Sequence, residues 1–271
     1  MAPVHPIERL RFVARAGGAP PSSLVREAAG ALAGLAEDQA ALVTACRRLI
    51  DRHPQIGPMW WLAARVLSAP DPKAEMWRVI DELDGDPTGG VLAANLPDGA
   101  AVVILGWPEL VGSAIRHRAD LGVLLVDTLG EGSALARRLR SSGGDVVEVP
   151  EAGLGAAVGS AALVLVEALA MGEDGAVAVA GSWAAAAVAR SAGVPTWLVA
   201  GVGRVLPVRL WEAVSRRLDE DADEPWDRAF DVVPLDLVDR VVGPAGVEDP
   251  GRALGRADCP IVPELLRPMV G

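Results

Sequence analysis

The side chains best suited to chemistry in this sequence are carboxylates and arginines that follow short apolar runs. Asp127 closes the run Gly122-Val-Leu-Leu-Val-Asp127, and Glu167 closes Ala162-Leu-Val-Leu-Val-Glu167. Ligands of α/β sheets sit beyond the carboxyl ends of the strands, so either carboxylate could act as a general base if desolvated. Either could equally cap a helix or pair with an arginine. Glu109, just after Trp107-Pro108, is a further candidate for proton transfer. Gly181-Ser182 opens a helical segment through Arg190. The unpaired N–H groups of that helix start, with the Ser182 hydroxyl, could hold a phosphate, or Ser182 could simply cap its own helix. Arg52, at a helix end beside His53-Pro54, and Arg204, in a loop after a strand, are the candidate cations. Surface ion pairing is the plainer role for Arg204. Trp60-Trp61 and Trp107 suit a core or an interface, and their indoles could also line a pocket.

Other chemistries are excluded or weakly supported. His5, His53 and His117 are the only histidines and lack metal-ligand spacing, so no metal is expected. There is no G-x-S-x-G elbow; Ala180-Gly-Ser-Trp183 has the wrong spacing. Gly201-Val-Gly203-Arg204 lacks the third glycine of a dinucleotide loop, and Pro207 stands where its helix should begin. Lys73 is the only lysine and there is no tyrosine, which removes a P-loop lysine, other Schiff-base lysines and Tyr general acids. Cys46 and Cys259 are the only cysteines and are too few for a disulfide framework. No cofactor is expected.

The chain has 271 residues, of which 51% are hydrophobic, enough to bury a sizeable core. It carries 25 Lys+Arg against 36 Asp+Glu, a net charge of −11, which disfavours general nucleic-acid binding. The start lacks an apolar signal core, and the apolar stretch Ala152 to Ala170 is broken by glycines and crossed by Glu167. No membrane association and a cytoplasmic location are therefore expected.

The elements that must position these residues fall into two patterns. Residues 1–95 read as a helical domain. Ser23 is a plausible N-cap for Leu24 to Leu35, and Gln39 to Arg52, Met59 to Leu67 and Pro72 to Leu83 are further helices. Asp84-Gly-Asp-Pro-Thr-Gly-Gly90 is a breaker cluster. In residues 96–271 short apolar runs starting at Ala101, Gly122, Asp145, Ala162 and Thr196 alternate with helices of about ten residues. That alternation predicts βαβ units and a Rossmann-like parallel sheet, so the fold class is α/β with an N-terminal helical domain. A helical insert to about Leu218 precedes the acidic run Asp219 to Glu224, which reads as a solvated loop.

Several segments, in order, resemble one family. Leu163-Val-Leu-Val-Glu-Ala-Leu-Ala-Met-Gly-Glu-Asp-Gly-Ala-Val-Ala-Val-Ala-Gly-Ser182 with Gly193-Val-Pro-Thr-Trp-Leu-Val-Ala200 resembles the initiation factor 2B α/β/δ-like pattern VLVGADAVLANGGVINKIGT followed by VPFYVLA. Arg52-His-Pro-Gln-Ile-Gly-Pro-Met-Trp-Trp-Leu-Ala63 is similar to its ARPSMAPLWNLA. Val126-Asp-Thr-Leu-Gly130 and Phe230-Asp-Val-Val-Pro-Leu-Asp-Leu-Val238 are similar to its VTESRP and YDxTPPELI segments. The resemblance spans about residues 40–250. It implies a helical domain on a Rossmann-like domain, usually in a dimer or larger assembly, so a homodimer is expected. The family includes methylthioribose-1-phosphate and ribose-1,5-bisphosphate isomerases, which shift hydrogen between C1 and C2 of a sugar phosphate, and regulatory subunits of an exchange factor.

The isomerases use a Cys after the first Rossmann strand and an Asp in GAD. This chain has Leu105-Gly-Trp107-Pro108 at the first place and Val166-Glu-Ala168 at the second, so only Glu167 could supply the carboxylate. The Asn-Lys phosphate grip falls on Ala178-Val179, and the arginine of ESRP on Leu129. Two or three lost charged contacts would weaken phosphate binding by about 10²–10⁵. The reading is a non-catalytic protein that binds a small ligand, such as a sugar phosphate or nucleotide-like metabolite, or regulates a partner. The alternative is an aldose–ketose isomerase with a rebuilt site, with Glu167 as base and Glu109 or Asp127 as second group. Arg52, Trp107, Pro108, Gly181, Ser182 and Arg204 are the expected ligand contacts.

Overall fold

A computed structural model describes residues 20–130, 132–220 and 224–267, without the side chains of Glu220 and Pro225. His5 and the middle of the acidic run lie outside the described residues. The chain divides into two units. One takes the described residues up to Asp86, those from Val202 to Glu220 and those from Ala257 onward; the other is Pro87–Gly201 with Glu224–Arg256.

The helical unit begins with α1 (Pro21–Leu32), α2 (Gln39–Arg52), α3 (Gly57–Ser68) and α4 (Pro72–Asp84). Helix α1 starts at Pro21, ahead of the expected cap. A proline in the first turn has no N–H to satisfy and its φ already suits a helix, so Ser23 falls inside the helix and makes no cap. Asp38 and Asp71 are side-chain caps, accepting from Ala41 N–H at 3.0 Å and Ala74 N–H at 2.9 Å. Helix α3 is apolar nearly all round and is the unit's centre: Met59, Trp60, Trp61 and Leu62 are fully buried. Trp60 and Trp61 are therefore core residues. Trp60 Nε1 donates to the Pro54 carbonyl at 3.0 Å, and the backbone of Gly203 lies on the Trp61 ring.

In the other unit, α5 (Thr88–Asn95) forms within and just after the expected breaker cluster. Its Gly89 packs against the Leu110 carbonyl and Ser113, at ordinary contact distance. Packing supplies what propensity lacks. As a result the division between units falls at Asp86/Pro87, and not at residue 95.

Five parallel strands follow the expected apolar runs, β1 (Ala101–Leu105), β2 (Gly122–Asp127), β3 (Asp145–Pro150), β4 (Leu163–Glu167) and β7 (Thr196–Val199), and a sixth parallel strand, β9 (Arg240–Gly243), was not expected. With the antiparallel β10 (Gly246–Glu248), the order is β10-β9-β7-β4-β1-β2-β3. The sheet runs outward from β1 to β3 on one side and from β4 to β9 on the other, the doubly-wound arrangement, with its switch point between β1 and β4. A second sheet joins β5 (Ala170–Met171), β6 (Gly175–Val179) and β8 (Phe230–Pro234), all antiparallel.

Alternation along the strands sends Val102, Ile104, Val123, Leu125, Leu163 and Leu165 to one face. There they meet α5, α6 (Glu109–Ile115) and α7 (Gly132–Ser141) through Leu92, Val111, Ile115, Leu135 and Leu139. Helices α8 (Leu154–Ser160) and α9 (Ser182–Ala192) pack with each other and against β1 and β4. The remaining helices are α10 (Val208–Glu220), in the helical unit, and α11 (Pro250–Leu254), in the sheet unit.

Candidate functional site

The switch point of a doubly-wound sheet is where two neighbouring crossovers leave in opposite directions and open a crevice. Here β1 contributes Gly106, Trp107 and Pro108 after its last residue, and β4 contributes Glu167 as its last residue. Gly106 turns the chain with φ +60°, a conformation costly for residues with a Cβ. Pro108 then holds the extended backbone before α6 and has no N–H.

The Glu167 carboxylate spans this crevice. Its Oε1 accepts the N–H of Glu109 at 3.1 Å, and its Oε2 accepts those of Leu110 at 2.8 Å and Val111 at 2.9 Å. These are first-turn donors of α6 that have no intrahelical partners. No side chain of α6 itself caps them, so the carboxylate from β4 takes that place.

The same device recurs on both sides. Asp127, ending β2, accepts the N–H of Gly132 at the start of α7 at 3.1 Å. A Cβ on Gly132 would come within 2.9 Å of the Asp127 Cβ, so the glycine is what admits the carboxylate. Asp231, on β8, accepts the N–H of Trp183 in the first turn of α9 at 2.9 Å. Three helix starts that border the carboxyl edge of the sheet are thus each held by a carboxylate from another element, where helix dipole and unpaired donors would favour an anion.

Gly181 precedes α9 with φ +89°. A Cβ there would meet the Thr128 methyl at 3.0 Å and Leu105 Cδ2 at 3.4 Å, so the ends of β1 and β2 press against the start of α9. Ser182 does not cap its helix: it is 1% exposed, and its Oγ has no hydrogen-bond partner. Trp107 and Trp183 leave their indoles half-exposed at 41% and 53%.

Trp107, Pro108, Glu109, Asp127, Glu167, Gly181 and Ser182 all belong to the sheet unit. Arg52 and Arg204 belong to the helical unit, where Arg52 lies in the last turn of α2 and Arg204 is buried, 3% exposed. Sequence reasoning missed Thr128 and Asp231 as site residues. Thr128 follows Asp127 directly, and only the pairing of β6 with β8, from Val179↔Phe230 to Gly175↔Pro234, reveals that Asp231 reaches α9. Among the described residues, no three His, Cys, Asp or Glu side chains gather as a metal site would need, and no helix is long and apolar enough to cross a membrane.

No family model and no curated protein matches the sequence. Solved structures do match. The translation initiation factor eIF-2B from Pyrococcus horikoshii OT3 superposes with a TM-score of 0.78 at 19% identity, over 93% of this chain and 100% of that one. The eIF2B beta subunit from Chaetomium thermophilum gives 0.71 at 18% identity, over 98% and 94%. The tetrameric eIF2B beta2-delta2 complex from C. thermophilum gives 0.74 at 19% identity, over 92% and 92%. At these identities the likeness is one of fold. This chain therefore has the fold of the eIF2B subunits, over nearly its whole length.

Proposed function

We propose that this chain is a non-catalytic, eIF2B-like regulatory protein, cytoplasmic and homodimeric, whose sheet-edge site binds a small ligand without a phosphate. The observation that carries this reading is Glu167 closing the crevice between β1 and β4 on the first turn of α6. A phosphate entering there would compete for the same N–H groups and face a fixed negative charge. At an effective dielectric of ~20 and a separation of ~5 Å, each such charge pair is repulsive by about 3 kcal/mol. Asp127 and Asp231 extend the same bias to α7 and α9.

Proton shuttling between C1 and C2 also lacks support. Proline occupies the place that the resemblance gives to the catalytic thiol, and Glu167 is committed to three donors. Cys46 and Cys259 both belong to the helical unit, and burial pushes both thiols up to about 12. The test is an aldose–ketose assay on methylthioribose 1-phosphate and ribose 1,5-bisphosphate, run beside a thermal-shift titration of both compounds. No turnover and no shift are expected. Turnover that Glu167→Gln abolishes would overturn the reading and restore the isomerase. Self-association is tested by light scattering, with a dimer mass expected.

A further inference from the structure

Three buried hydroxyls in the sheet unit have no partner among the described residues: Thr196 Oγ1 on β7, and Ser182 Oγ and Thr128 Oγ1. The last two lie by the start of α9, an eleven-residue helix. Thr128 packs its methyl where a Gly181 Cβ would stand, 3.0 Å away, and Ser182 is the next residue. Buried hydroxyls are nearly always bonded, so two unbonded ones near one helix start point to a polar ligand atom that would bond them.

The chemistry around the pair narrows what that atom belongs to. A hydroxyl is both donor and acceptor, and a ligand hydroxyl can accept from one of the pair while donating to the other. Asp127 and Asp231 each give one oxygen to a helix N–H and keep a second oxygen able to accept from a ligand O–H. The half-exposed indoles of Trp107 and Trp183 follow Gly106 and Ser182 in sequence, and Gly106 packs against Val179 near the α9 start. Aromatic faces stack on flat or apolar ligand surfaces. Carboxylate acceptors, neutral hydroxyls and indoles suit an uncharged polyol with a flat face, whereas a phosphate would meet carboxylates in the positions it needs.

We propose that the start of α9 takes a neutral, ribose-bearing ligand of the nucleoside class, one hydroxyl of which bridges Thr128 Oγ1 and Ser182 Oγ. The proposal rests on the reading above and names its ligand class.

The experiment is isothermal titration of the full chain with the four common ribonucleosides, their 5′-monophosphates and inorganic phosphate, repeated with Thr128→Val and Ser182→Ala. At least one nucleoside is expected to bind, its monophosphate at least tenfold more weakly, and inorganic phosphate not at all. Each variant should weaken the nucleoside at least fivefold while its own melting temperature stays within a degree or two of the parent. A monophosphate that binds as tightly as its nucleoside, or variants that bind as the parent does, overturns the proposal. So does silence from every nucleoside, in which case a water fills the hydroxyl pair. The proposal can fail in these ways while the non-catalytic reading stands; turnover of a sugar phosphate is what removes that reading.

Discussion

The Glu167 carboxylate and the Leu110 amide, 57 residues apart, meet at 2.8 Å across the switch point of the sheet. With Glu109 and Val111 they make one carboxylate the external cap of α6. Hydrogen bonds to a charged group are worth about 1.5–3 kcal/mol each at most, and a lost cap costs about 1–2 kcal/mol in practice. Glu167→Ala is expected to lower unfolding free energy by about 2 kcal/mol, and Glu167→Gln, which keeps an acceptor oxygen, by about half of that. Urea denaturation measures both. A Glu167→Ala protein as stable as the parent would remove the structural role assigned here.

Gly181 carries a second test. Its φ of +89° and the Thr128 methyl 3.0 Å from the site of a Cβ oppose any side chain. A left-handed residue with a Cβ costs about 1–2 kcal/mol before the contact is counted. Gly181→Ala should cost about 2–3 kcal/mol by urea denaturation and should displace Thr128, disturbing the hydroxyl pair as well.

The two thiols should be inert in the folded protein. Burial holds Cys46 at about 12; burial, with the charge of Asp258, does the same for Cys259. At pH 8 only about one thiol in 10⁴ would be thiolate, and the thiolate is the reactive form. A chromogenic disulfide reagent should therefore label neither cysteine until denaturant is added, and then label both. Fast labelling of either in the native protein would contradict the packing around it.

Glu75 gives the helical unit a dependence on pH. It is nearly buried, which by itself raises its value, but hydrogen bonds from Arg78 at 2.6 Å and Arg65 at 2.5 Å outweigh that and hold it below the ordinary carboxylate range. Arg65 also stacks over Trp61 at 4.8 Å. A group lowered on folding stabilises above its unfolded value and loses that contribution as pH falls through the folded one. Stability should thus decline on acidification below about pH 4–5, the ordinary range for a glutamate. Glu75→Gln should lower stability at pH 7 by about 1–3 kcal/mol and flatten that decline.

Five of the parallel strands, β1, β2, β3, β4 and β7, were legible because each reads as a short apolar run between turn residues, and the central β1 and β4 are buried on both faces. The caps were legible only as alternatives. Asp127 and Glu167 were placed correctly at strand ends, yet a strand-end carboxylate looks alike in sequence whether it serves a reaction or a helix start. What separates them is the distance to an amide 57 residues away for Glu167. Asp231 was hidden for a different reason: it acts through β8, whose partner β6 lies far back in the chain. Helix α5 was missed because Thr88-Gly89-Gly90 has poor helix propensity, and tertiary packing overrides it.

The interleaving of the two units has a consequence for biosynthesis. Asp51 on α2 holds the Arg217 guanidinium at 2.7 Å, Trp60 stacks on it at 4.8 Å, and it donates to the Leu265 carbonyl at 3.1 Å. The first four helices thus leave the ribosome long before the residues that complete their core. The sheet waits too, since β7 keeps a bare edge until β9 is synthesised. A nascent chain therefore carries an apolar helix and an open strand edge together for much of its translation, the state that invites aggregation and chaperone binding. Slowing or truncating synthesis near its end should hurt yield far more than the modest size of the missing segment suggests.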